Sequence, residues 1–160
     1  MKKTYIILLL VFAMLLCACA SAGKELKDKN LKGKDGSLLT IGKDSGFIWR
    51  LDPVTFEDPQ YHGSYKIYQA KPAVSYIVEN FAGYGLTEEE IDEKLSERNC
   101  DIDAFYCIVF TNKEYLVDGV NTLEQEEEIF YYGFFYKSLG QLDLINIYTG
   151  EAKDFTILNY

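Results

Sequence analysis

The chain has 160 residues, of which 48% are apolar and 15% aromatic, with a formal net charge of −9. That apolar share excludes an intrinsically disordered chain, and the length left after an N-terminal leader suffices for one domain with its own core but not two. Residues 37–160 hold nine Lys or Arg against twenty-two Asp or Glu, which argues against nucleic acid as a partner and against a body lying flat on an anionic membrane.

In chain order, Lys2 and Lys3 precede the apolar run Tyr5–Leu16, and the small residues Ala18, Ala20, Ser21 and Ala22 follow it. A basic start, a short apolar core and a small-residue exit describe an export signal. The run is twelve residues, short of the ~20 needed to span a bilayer as a helix. Its end, Leu16-Cys17-Ala18-Cys19, resembles the lipobox of bacterial lipoproteins. That resemblance implies a signal peptide over 1–18, removed to leave Cys19 as an acylated first residue on the outer face of the cell membrane. Cys17 departs from the family's usual small or β-branched residue, and Ala20-Ser21-Ala22 leaves open an A-x-A cleavage that releases a free protein. An uncleaved anchor is a third reading.

Residues 19–36 read as the lipidated cysteine followed by a flexible lysine-rich tether. Five Lys stand there against Glu25, Asp28 and Asp35, and Leu26 and Leu31 are the only large apolar residues. Residues 37–160 then form a single acidic, aromatic-rich β domain. Ser37–Ile41 and Phe47–Leu51 are expected strands about a turn at Gly42–Gly46, with Phe47, Trp49 and Leu51 on one face. Ser64–Gln69 alternates next, with Tyr65 and Ile67 together.

Two helices follow. The first is expected from about Pro72 to Ala82, with a stripe of Ala73, Ile77 and Phe81 and an end at Gly83 and Gly85. The second starts at a capping box, Thr87 with Glu90, and a staple of Leu86 with Ile91; only Ile91 and Leu95 are apolar along it. Five more strands are expected: Phe105–Phe110, Glu114–Asp118, Ile129–Tyr136, Leu142–Tyr148 and Lys153–Leu158, with a long acidic loop from Asp118 through Glu128.

Phe105–Phe110 and Ile129–Tyr136 are apolar on both faces, so both faces need cover. The fold class is mainly β with two helices: a β-barrel or strongly curved antiparallel sheet, with the helical pair inserted after the third strand. An α+β sheet with helices on one face is the alternative. Strand count and order over 37–160 resemble the lipocalin-like (calycin) small β-barrels found in some bacterial lipoproteins.

Little in the sequence points to chemistry. His62 stands alone in Gln60-Tyr61-His62-Gly63 and reads as a loop residue, and no cysteine pair has zinc-site spacing, so no metal or cofactor is expected. Ser45 lacks a nucleophile-elbow context, and no phosphate-binding glycine loop occurs. Asp101 with Asp103, and the run Glu124–Glu128, lack the alternating ligands of a calcium loop. Cys100 and Cys107 are the one possible intradomain disulfide, with an unpaired, inert pair the bland alternative. Aromatic residues remain: Trp49, Tyr65, Tyr131 and Phe135 are the candidate ligand-binding set if the domain is hollow, and core filling if it is packed.

The expected function is a membrane-anchored, non-enzymatic binding or interaction module of the cell envelope. Its partners would be the membrane, through acyl chains on Cys19, and an envelope protein, a polymer or a small apolar ligand. A carrier with a hollow barrel and a carboxylate-dependent hydrolase are the alternatives.

Overall fold

The computed structural model describes residues 22–54 and 59–158; Cys19 and the lipobox lie outside them. Among the described residues there are nine strands: β1 (Lys29–Gly33), β2 (Leu38–Ile41), β3 (Gly46–Arg50), β4 (Gln60–Gln69), β5 (Phe105–Val117), β6 (Val120–Asn121), β7 (Glu127–Tyr136), β8 (Gln141–Asn146) and β9 (Ala152–Ile157). Each barrel strand pairs antiparallel with the next in the chain, β6 aside, and β1 closes the ring on β9. The result is a closed eight-stranded meander. β6 is a two-residue extension paired only with the end of β5.

The eight staves are not the eight strands expected. Lys29–Gly33, assigned to the tether by composition, is β1 and pairs with β2 on one side and β9 on the other. Lys32 faces out between the fully buried Leu31 and the buried Gly33, an alternation that a count of apolar residues averages away. Conversely, Phe105–Phe110 and Glu114–Asp118 are one strand, β5, of thirteen residues. Thr111-Asn112-Lys113 is no turn: the pairing with β4 steps from His62–Glu114 to Gly63–Asn112, so Lys113 is an extra residue bulged out of β5. Such a bulge bends the paired strands without ending them. Gly63 makes the close approach possible, since a Cβ there would run into the Thr111 carbonyl.

Three further expectations are corrected. The acidic loop begins with a tight hairpin: Asp118 and Gly119 both have positive φ (52° and 76°), and Val117 pairs with Val120, the geometry of a two-residue type I′ turn. His62 lies in β4, not in a loop. Leu51 also falls just past β3 and is 38% exposed, so it does not share the inward face of Phe47 and Trp49.

The helices are α1 (Lys71–Phe81) and α2 (Glu88–Glu97). They follow the third expected strand, which is the fourth observed because β1 precedes it. Pro72 stands in the first turn of α1, where a missing N–H costs nothing. Thr87 caps α2, its hydroxyl accepting the Glu90 N–H at 3.3 Å, and three acids in the first turn complement the helix dipole. Ala73, Val74, Ile77 and Phe81 of α1, with Ile91 and Leu95 of α2, are buried.

Both faces of β5 and β7 are thereby covered. Tyr106, Ile108, Phe110, Tyr131 and Phe135 turn into the barrel. Phe105, Cys107, Val109, Tyr132 and Phe134 turn outward into a second core under the helices. Arg98, at the end of α2, closes this outer layer with its guanidinium 4.5 Å from the Phe134 ring centroid, within cation–π range.

Candidate functional site

The interior is filled by rings where the four candidate residues meet it. Trp49 lies 5.7 Å from Phe110, 5.9 Å from Tyr131 and 5.6 Å from Phe155 between ring centroids, and Phe47 packs edge-on to Phe110 at 4.8 Å. These are the separations of mutually packed aromatics. Tyr65 spans from β4 to the β2–β3 turn, its hydroxyl donating to the Gly42 carbonyl at 2.6 Å, and burial raises its phenol pKa, with Asp44 adding to the effect. Phe135 packs on Tyr106 at 6.1 Å. Trp49 and Tyr131 are therefore within the packed core, whereas Tyr65 and Phe135 also reach the wall of a groove at one end. The indole Nε1–H of Trp49 is buried without a partner among the described residues.

That groove occupies the end of the barrel where the chain enters, here termed the base. Residues 22–28 form turns across it. They are tied to the wall through Gln69: Gly23 N–H donates to Gln69 Oε1 at 3.1 Å, and Gln69 Nε2 in turn donates to the Asp103 carbonyl at 2.9 Å. Leu26 drops into the interior core, fully buried. Glu25 meets Lys137 of the β7–β8 turn at 3.7 Å and accepts the Tyr106 hydroxyl at 3.5 Å. Burial, with the Glu25 charge beside it, drives the Tyr106 phenol far above its ordinary pKa, so it stays a neutral donor. Around this plug the groove encloses about 1060 Å³, with Tyr65, Ile67, Tyr106 and Phe135 as apolar wall and Lys24, Lys27, Lys66 and Lys137 about it.

A second feature lies outside the barrel. Tyr68 stacks on Tyr76 at 4.3 Å, and from Phe81 the rings continue to Phe130 at 5.0 Å and to Tyr148 at 5.9 Å. Tyr84 meets Tyr148 edge-on at 5.2 Å. Tyr84 is 57% and Tyr148 51% exposed, whereas Phe81 beneath them is buried. Sequence reasoning missed this pair. The available signal was Tyr84 held between Gly83 and Gly85, a ring placed where the helix stops and no core face continues.

Among the described residues no reactive constellation accompanies either feature. His62 contacts Gln60 Oε1 at 3.1 Å and Glu114 at 3.7 Å on the barrel wall, with no nucleophile in that pairing. Asp101 and Asp103 line the groove but both are exposed, and Glu25 is held by Lys137 and Tyr106. They make no buried acid–base pair of the kind hydrolysis requires. Among the described residues no three metal-binding side chains come together. Cys100 and Cys107 are unpaired, and burial pushes the Cys107 thiol up to about 12. Among the described residues, too, no helix is long and apolar enough to cross a membrane. No protein family, curated protein or solved structure matches the chain.

Proposed function

We propose that this barrel is the binding module of a lipoprotein, exported, acylated at Cys19, held on the outer face of the bacterial cell membrane, and presenting its exterior to an envelope partner, protein or polymer. The observation that carries the binding part is the pairing of a ring-filled interior with exposed rings outside. Trp49, Phe110, Tyr131 and Phe155 occupy the space a carrier keeps open, while Tyr84 and Tyr148 stand half in water on a foundation of buried Phe81 and half-buried Phe130. Exposed tyrosines of this kind combine apolar faces with polar tips, as recognition surfaces do. Support for the anchor is the Leu16-Cys17-Ala18-Cys19 motif after a short apolar run.

The test has two parts. Cells fed an alkynyl fatty acid label the wild-type protein, and Cys19→Ser abolishes that label and leaves unprocessed precursor; undiminished labelling of Cys19→Ser would reject the anchor. Tyr84→Ala with Tyr148→Ala removes exposed rings, so it leaves urea stability within about 0.5–1 kcal/mol of wild type. It should still lower recovery of the partner in quantitative envelope crosslinking. Equal recovery of every crosslinked species by both proteins would reject the tyrosine surface.

A second reading, a carrier of a small apolar ligand, is favoured by one observation, the base groove with its wall of Tyr65, Ile67, Tyr106 and Phe135. It places the ligand at the barrel's end and not along its axis.

A further inference from the structure

We infer that the base of the barrel is the face turned to the bilayer, and that its groove opens on the phospholipid headgroups of the anchoring leaflet. This rests on acylation of Cys19 as proposed above. Only three peptide steps separate Cys19 from Ala22, at most about 11 Å of chain. From there the chain is already committed: Gly23 is tied to Gln69, and Leu26 is fully buried in the barrel core. No tether remains to let the domain turn freely, so acyl chains in the membrane bring the base within about one screening length of the headgroups.

The distribution of charge agrees with that attitude. The lysines at the base are Lys24, Lys27, Lys66 and Lys137 about the groove, Lys29 at the start of β1, Lys43 in the β2–β3 turn and Lys71 at the start of α1. The carboxylates there are Glu25, which Lys137 neutralises, with Asp28, Asp44, Asp101 and Asp103. The base is thus nearly balanced. At the opposite rim, Lys34, Arg50, Lys113 and Lys153 stand against ten carboxylates, those of Asp35, Asp52, Glu114, Asp118, Glu151 and Asp154 and the four within Glu124–Glu128. A ten-residue strand such as β7, rising ~3.3 Å per residue and tilted as in small barrels, separates the two ends by roughly 25 Å. The rim then stands beyond the ~8–10 Å reach of the surface potential. A tipped domain would instead bring that acidic rim against anionic lipid and be repelled. Lysines around an apolar wall also suit phosphate above the upper part of an acyl chain.

The test uses the full-length lipidated protein in phosphatidylglycerol–phosphatidylcholine vesicles. In a Cys100→Ser background, one bimane label is placed at Ser138→Cys, in the β7–β8 turn at the base, and another at Val120→Cys, in the β5–β6 hairpin. Both positions are exposed. Quenching by headgroup-region doxyl lipid is expected to be several-fold greater at Ser138 than at Val120. Mass spectrometry of the N-terminal peptide reports acylation separately. Acylated protein with equal quenching at the two sites, or more at Val120, overturns the orientation and leaves the anchor standing. Vesicle-free protein with an unmodified Cys19 overturns the anchor and the orientation together.

Discussion

Leu26 concentrates the difference between what composition says and what the fold does. It sits among Lys24, Glu25, Lys27 and Asp28, yet it is fully buried in the barrel core. Were 19–36 a tether, Leu26→Ala would shift stability by no more than about 0.5 kcal/mol, as exposed substitutions do. As a core residue it should cost about 2–5 kcal/mol, read as a drop in the urea midpoint at unchanged slope. A neutral Leu26→Ala would detach the plug from the fold. Cys107 supplies a second residue-scale test. Its thiol is buried and pushed up to about 12, so at pH 8 almost none of it is the reactive thiolate. Cys100 is only half-buried and donates weakly to the Arg98 carbonyl at 3.5 Å. Iodoacetamide at pH 8 should therefore modify Cys100 of the folded protein well before Cys107, with both reacting in urea. Comparable rates in the folded state would place Cys107 outside the core.

Among elements, the legible ones were those whose signal is local. The Thr87 cap, the Ile91–Leu95 stripe and the alternation of Phe47 with Trp49 each lie within a few residues, and the structure keeps all of them. What the sequence hid is set by partners far along the chain. β1 becomes a strand because β2 and β9 supply hydrogen bonds on both its edges. β5 continues through Asn112 because β4 pairs with it on both sides of a bulge at Lys113. The two effects cancel in the count, which is why eight expected strands and eight staves agree without being the same eight. The candidate site was less legible still, since the alternation that places Trp49 and Tyr65 inward cannot tell a lining from a filling. Gly63 tests the bulge itself. Gly63→Ala forces a methyl against the Thr111 carbonyl and the Phe47 ring, where backbone cannot yield as a side-chain tip can. The expected cost is about 1–3 kcal/mol, with the loss of amide protection concentrated on the β4–β5 pair, measured by hydrogen exchange. Uniform protection with no loss of stability would mean that the bulge relaxes freely.

For the molecule as a whole, the deciding question is whether the barrel is a vessel or a scaffold, and one residue reports on it. Trp49 is the sole tryptophan, is 6% exposed, and touches Phe110, Tyr131 and Phe155 at the centre of the interior. A ligand entering along the barrel axis has to displace one of those rings, and core packing resists that because voids and overpacking each cost kcal/mol. A ligand held in the base groove meets Tyr65, Ile67 and Phe135 without moving Trp49. Titration with a long-chain fatty acid or an apolar dye should therefore leave the tryptophan emission maximum and intensity unchanged to saturation. That holds even if native mass spectrometry shows a bound adduct, which the groove would then hold. A saturable shift of Trp49 emission would show that the interior opens, and would move the protein from scaffold to carrier. If emission stays fixed and no adduct forms, the exterior rings of Tyr84 and Tyr148 are left as the recognition surface, on a barrel whose packed interior holds them in place.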